Sequence, residues 1–221
     1  MNNTVELIGF YGSDELIACS AWTSTSRELT EEKRARIPKL LEDLWSNGHE
    51  TPFEKGIVHF LANKDIATHI QILKHRLSSE NAESARYKEL KEDKFYVPKE
   101  FYECEVEFAK HDHWALPERH SNWGEVLEDH TTTSNYLYHE CLKDMEKQFG
   151  RKRAKETARY FKMYNSQIQS DLSFNMRSFA NFLKLRMSDH AQVEINEIAS
   201  EMLKLVRQTG KFEHTLKAWG Y

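Results

Sequence analysis

Glycine and proline are scarce in this chain, 8 and 4 among 221 residues. Glycine ends helices through left-handed caps and proline ends them by removing an N–H donor, so few of either implies long, uninterrupted elements. Hydrophobic periodicity places those elements. Val5–Tyr11 has the composition of a strand, and Ser13 and Asp14 are expected to cap a helix running toward Ser20. Pro38 suits the first turn of a helix, which Leu40, Leu41, Leu44 and Trp45 continue at helical spacing and Gly48 stops. Ile57–Ala62 reads as a buried strand. Asp65 is placed to cap a helix carrying Ile66, Ile70 and Leu73 along one face, and the polar run Leu77–Ser84 beyond it reads as loop or ligand-lined backbone. Tyr102–Phe108 reads as a strand, Trp123–Phe149 as a long helix ending at Gly150, and Ala154–Tyr164 as another helix. Ile168–Phe174 reads as a strand, followed by helices over Ser178–Arg186 and Ala191–Val206, parted by Ser188 and Asp189. Many helices with a few non-adjacent strands argue for an α+β fold, mixed helices with a small sheet, in a single domain over 1–221.

The net charge of -4 gives no global attraction for nucleic acid or anionic membrane, so any phosphate site has to come from local clustering of Arg and Lys. The start, MNNTVELIGFYG, lacks the basic and apolar regions of a signal peptide, and no run approaches the roughly 18 apolar residues of a membrane helix. Cys19, Cys104 and Cys141 are scattered and odd in number, which suits a reducing compartment; a cytoplasmic location is expected.

Lys74–Tyr87, KHRLSSENAESARY, carries the densest chemistry. It gathers Lys74, His75, Arg76 and Arg86 around Ser78, Ser79, Asn81 and Ser84. Guanidinium forks combined with hydroxyls and backbone N–H groups suit an anion, phosphate above all. A solvated helix end followed by a polar loop is the plainer alternative. His111–His113 puts two histidines on one strand face, but with no further ligand cluster nearby no metal is expected. Arg151–Lys155 (RKRAK) suits either RNA or a solvated helix start. The chain has no G-x-G-x-x-G dinucleotide fingerprint, and its cysteines carry no nucleophile motif and read as packing.

The same segment resembles the signature of the flavin-dependent thymidylate synthases. That signature runs Arg-His-Arg, two residues, Ser, one residue, Asn, two residues, Ser, one residue, Arg-Tyr. His75, Arg76, Ser79, Asn81, Ser84, Arg86 and Tyr87 hold its spacings, with Lys74 standing for the first Arg. GHETPFE (Gly48–Glu54) and NMRSFANFLKLRMSDHAQ (Asn175–Gln192) resemble two further family segments, in family order. The likeness reaches from about Gly12 to Gln192 and thins between Lys94 and Arg153.

The resemblance implies the fold of that family and reductive methylation of dUMP to dTMP. FAD would be the bound cofactor, NADPH the reductant and 5,10-methylenetetrahydrofolate the carbon source, in a homotetramer. By likeness, His49, Thr51, Lys74, His75, Arg76, Asn175, Arg177, Asn181 and His190 would contact FAD. Gln71, Lys74, Glu83, Ser84, Ala85, Arg86, Glu156, Arg159 and Arg186 would contact dUMP, with Arg186 as the activating residue. An Arg suits that task because hydride addition gathers charge on N3 and O4 of the pyrimidine, which a fixed guanidinium stabilises without losing a proton. Lys74 and Ala82 depart from the usual pattern. They motivate a related flavin enzyme giving a hydroxymethyl product. A nucleic-acid-binding module built on Arg151–Lys155 is the reading from a different class.

Overall fold

The computed structural model describes residues 1–106 and 120–221. They form two compact units that interleave along the chain. The larger comprises Thr4–Ala62, Ile70–Asn81 and Ser170–Tyr221, the smaller Met1–Asn3, Asn63–His69 and Ala82–Gln169. Helices accompany one small sheet, so the α+β expectation holds. Its four strands are β1 (Thr4–Tyr11), β2 (Ile57–Asp65), β3 (Ser78–Ala82) and β4 (Gln167–Asn175), in the order β1-β2-β4-β3.

In the larger unit, alternation decides which sheet face is covered. Val58, Phe60 and Ala62 of β2 and Leu172 and Phe174 of β4 are buried, whereas Ile57 and Asp171 on the opposite face are exposed. The covering layer includes α1 (Asp14–Ala21), α2 (Glu31–Ser46), α6 (Met176–Arg186), α7 (Val193–Gln208) and α8 (Glu213–Ala218); between α2 and α6 the chain forms α3 (Ile66–Ile72), α4 (Lys99–Glu103) and α5 (Trp123–Ala158). Phe53, Phe60, Phe174, Phe179, Phe182 and Phe212 fill the core between them.

The caps follow the expected chemistry. Ser13 Oγ accepts the Leu16 N–H at the start of α1. At the end of α2, Gly48 takes φ +72°, its N–H donates to Trp45 O at 3.1 Å, and the His49 N–H reaches back to Leu44 O at 2.8 Å. That pair of bonds is a Schellman cap, and it needs the left-handed conformation glycine adopts without strain. The start of α2 differs from expectation. It begins at Glu31 behind a Thr30 cap, so Pro38 lies inside the helix rather than in its first turn. Pro38 sits on the exposed side, where the Arg34 carbonyl it leaves unbonded can turn to water.

Two further expectations need correction. Leu77–Ser84 is not loop throughout, because Ser78–Ala82 forms the edge strand β3. An edge strand bonds on one side only, and small polar side chains suit its open side. On α3 the buried side chains are Thr68 and Ile72, while Ile70 and Leu73 are exposed. The Asp65 cap itself forms: its carboxylate accepts the Thr68 N–H and hydroxyl, both at 2.8 Å.

In the smaller unit, Tyr102 and Glu103 end α4, and beyond them Glu105 makes an isolated bridge, so the strand expected over Tyr102–Phe108 does not form in its described part. Residues 107 and 108, and His111–His113, lie outside the described residues. Gly150 breaks α5 with φ 77° and ψ 158°, as its expected role as a stop requires. Tyr138, Leu142, Ala154 and Ala158 pack across that break. Lys162 is buried beside them, donating to Asp93 at 2.7 Å and Asn135 at 2.8 Å, with its ammonium 4.4 Å from the Tyr138 ring centre.

One contact ties the ends of the larger unit. Asp14, 8% exposed, accepts from the His214 N–H at 2.8 Å, the Thr215 N–H at 2.9 Å and the Thr215 hydroxyl at 2.6 Å. Removing the acceptor orphans three donors at the start of α8. Asp14→Ala is expected to destabilise the larger unit by about 2–4 kcal/mol, and Asp14→Asn by less, in urea unfolding followed by circular dichroism.

Candidate functional site

A cavity of about 470 Å³ opens in the larger unit, lined by the segment Lys74–Leu77 after α3, by Trp45 and Glu50 near the end of α2, and by one side of α6. On α6 the lining runs Arg177, Asn181 and Lys184, spaced four and three apart and therefore along one stripe. The opposite stripe, Met176, Phe179, Phe182 and Leu183, is buried in the core, so packing of the phenylalanines aims the polar stripe at the cavity. Lys74, Arg76, Arg177, Lys184 and Arg186 put five cationic side chains around the space against the single carboxylate of Glu50.

Arg186 is the most constrained of these. Its Nε donates to His75 Nε2 at 2.8 Å, one terminal nitrogen donates to the Gln71 carbonyl at 3.0 Å, and the other reaches Gln71 Oε1 at 3.4 Å. His75 stands edge-on to Phe182, ring centres 4.9 Å apart. Burial, and then the adjacent guanidinium, lower the His75 pKa from 6.5 to about 4. The ring is therefore neutral at physiological pH, with its proton on Nδ1 and a lone pair on Nε2 facing Arg186. Burial also depresses the Arg186 pKa.

Of the residues expected at FAD, Lys74, His75, Arg76, Arg177 and Asn181 border this one cavity. His49, Thr51, Asn175 and His190 do not line it. His49 and Thr51 are exposed at the end of α2 and the turn beyond. Asn175 caps α6, its Oδ1 accepting the Ser178 N–H at 2.8 Å. His190 is exposed in the turn before α7. Arg177 is held by two carboxylates, Glu50 at 2.8 Å and Glu54 at 2.7 Å, which raise its pKa through those bonds.

Of the residues expected at dUMP, Gln71 and Arg186 meet as described, and Lys74 borders the cavity. The others lie in the smaller unit. There Arg86 Nε donates to Glu156 at 2.8 Å, which holds that carboxyl below its usual range, and Arg159 Nε donates to the Glu156 carbonyl at 3.2 Å. Ser84 Oγ accepts the Arg86 N–H at 3.3 Å, and Ala85 lies between them, half-buried. The Glu83 carboxylate is taken up by the Gln169 N–H at 3.0 Å and Lys88 at 2.5 Å. Arg151 is likewise engaged, with Glu146 and Glu89, and Lys155 donates to the Tyr87 carbonyl at 2.6 Å.

Glu50, Lys184, Trp45 and Leu77 were not singled out from the sequence. Lys184 was open to discovery, since it stands seven residues after Arg177 on the same helical face. Trp45 enters the sequence reading only through its helical spacing with Leu40, Leu41 and Leu44, and nothing local marks it as a cavity residue. Among the described residues, no cluster of His, Cys, Asp and Glu is placed to hold a metal ion, and no helix is long and apolar enough to cross a membrane.

Residues 6–209 match the family model described as thymidylate synthase complementing protein. A flavin-dependent thymidylate synthase of Pseudothermotoga lettingae is 33% identical over 195 residues, covering 88% of this chain and 80% of that protein. One from Thermotoga neapolitana is 31% identical over 206 residues, covering 92% and 85%. Among solved structures, the UMP/dUMP methylase PolB from Streptomyces cacaoi, bound with 5-Br dUMP, shares the fold with a TM-score of 0.76. It is 24% identical, over 99% of this chain and 95% of its own.

The protonation state of His75 is open to a direct check. Its folded-state pKa lies below the ordinary value, so between about 6.5 and about 4 the unfolded chain binds more protons at this site. The site's contribution to stability is complete above pH 6.5, declines as pH falls through that window, and levels off below pH 4. NMR titration of the His75 ring is expected to show a midpoint near 4, moved upward in Arg186→Gln because one of its two causes is removed.

Proposed function

The chain belongs to the thymidylate synthase complementing protein family, it is an enzyme, and from that premise we propose that it is a flavin-dependent thymidylate synthase converting dUMP to dTMP. The observation that carries the reading is the Arg186 guanidinium, anchored by His75 and Gln71 on the wall of a strongly cationic cavity. The cofactor proposed for that cavity is FAD. The donor set fits it: Lys74, Arg76, Lys184 and Arg186, beside the ion-paired Arg177, suit a pyrophosphate and an electron-rich ring. Lys74, Arg76, Arg177 and Asn181 would hold it. When bound, the flavin supplies hydride chemistry, with NADPH as the reductant and 5,10-methylenetetrahydrofolate as the carbon source.

The chain's own contribution is electrostatic. Arg186 would face the pyrimidine and stabilise the charge that develops on N3 and O4. It is suited to this because its neighbours leave it no competing anion: His75 is neutral, and Gln71 offers only dipoles. A guanidinium already pinned has little reorganisation left to do as charge develops. Arg86 and Ser84 are proposed as ligands of the dUMP phosphate, with Glu156 releasing Arg86 for it, and Gln71, held beside Arg186, as a neighbour of the base. His49, Thr51, Asn175 and His190 stay with the FAD proposal, and Glu83, Ala85 and Arg159 with the dUMP proposal. We further propose that residues 1–221 act as one catalytic domain, in a homotetramer, in the cytoplasm.

The test is tritium release from C5-labelled dUMP with FAD, NADPH and methylenetetrahydrofolate present. Release accompanied by dTMP is expected, and mass measurement separates a methyl from a hydroxymethyl product. Arg186→Ala is expected to lower release by about 10²–10³-fold while the protein stays yellow with bound flavin. A folded, flavin-loaded protein that releases no tritium would refute the reading. Full activity in Arg186→Ala would remove this residue from its role.

A further inference from the structure

Arg186 leans on Gln71, an amide whose oxygen and nitrogen are nearly equal in shape. Something must decide which end faces the guanidinium. The other end of the Gln71 amide meets the start of α7, first the N-cap residue Gln192 and through it Glu194. Gln71 Nε2 donates to Gln192 Oε1, and Gln192 Nε2 donates to Glu194 Oε2 at 2.6 Å. Glu194 is only 7% exposed and stands in the first turn of α7, where the free N–H groups of the helix favour a negative charge. A carboxylate only accepts hydrogen bonds and a guanidinium only donates them. Between those fixed ends each amide has one satisfied orientation, and turning either one sets like against like. The polarity of the whole series, from Glu194 through Gln192 and Gln71 to Arg186, is therefore dictated by its two charged termini. Pinning the Gln71 side chain also pins the residue whose backbone carbonyl accepts from Arg186 at 3.0 Å.

We propose that Gln192 and Glu194 are positioning residues, which fix the orientation of Gln71 and through it the aim of Arg186. Neither lines the cavity. The proposal rests on the role given to Arg186 above, and it is tested in two independent ways. The first is steady-state kinetics of dTMP formation by the full chain. Glu194→Gln keeps the shape but removes the acceptor-only end that dictates the polarity, and Gln192→Leu cuts the series. Each is expected to lower kcat about tenfold or more with the dUMP KM held within about threefold, the mark of an interaction acting in the transition state. The double variant is expected to match Gln192→Leu within about twofold, because a series cut once has nothing further to lose. The second is solvent exchange of the Arg186 Nε–H in an arginine-labelled sample without substrates, expected to accelerate about tenfold in both single variants. If exchange accelerates in a protein that makes no dTMP, the positioning role stands and the functional reading falls. If dTMP is made and Glu194→Gln changes neither kcat nor exchange, or the double variant loses activity additively, the positioning role is overturned.

Discussion

A guanidinium drawn partly out of water has to find an acceptor for each N–H it keeps from solvent, and Arg186 meets that demand without an anion. It uses a backbone carbonyl, an amide oxygen and an imidazole lone pair. A carboxylate in the same place would have neutralised it, as Glu50 and Glu54 do for Arg177 a few residues earlier on the same helix. The choice of neutral acceptors leaves the positive charge uncancelled, and the rest of the larger unit is arranged so that it stays so. Phe182 stands edge-on to His75, and burial together with the neighbouring guanidinium keeps the ring uncharged. The phenylalanine core behind α6 fixes the helix that carries Arg186, Lys184, Asn181 and Arg177.

The two units solve the problem of buried charge differently. In the smaller one Lys162 is withdrawn from water, yet it is met by Asp93, by Asn135 and by the face of Tyr138, so it is compensated on several sides. His139 extends that network to Asp93 and Glu89. Compensation of this kind makes a rigid support and leaves no potential to spend on a ligand. The cavity wall of the larger unit retains such a potential, and this difference separates a structural network from a binding one.

Much of the fold could be read from residues because the signals were local. Ser13, Gly48 and Gly150 ended or began helices where their own conformational chemistry demands it. The readings that failed needed information from elsewhere in the chain. Ser78–Ala82 is polar and carries no strand pattern of its own; pairing with β4 makes it a strand. Pro38 is tolerated inside α2 because that side of the helix meets water, which no spacing rule shows. The face of α3 was misjudged because Thr68, a polar residue committed to Asp65, takes the buried position that periodicity assigned to aliphatics. At the site, the cations of Lys74–Arg76 and α6 were legible as residues, and their convergence on one cavity follows from packing. Glu50 as the partner of Arg177 was invisible, because the two stand 127 residues apart.

The Asp14 contact with α8 bears on how the molecule comes into being. A ribosome makes Asp14 200 residues before the backbone N–H of His214 that answers it. During vectorial synthesis that carboxylate has no native donors to bury against and must stay hydrated. The β1–α1 corner cannot bury this carboxylate until α8 has been made. Closure of this half of the protein depends on α8, so a chain cut short of it would expose an unfinished core.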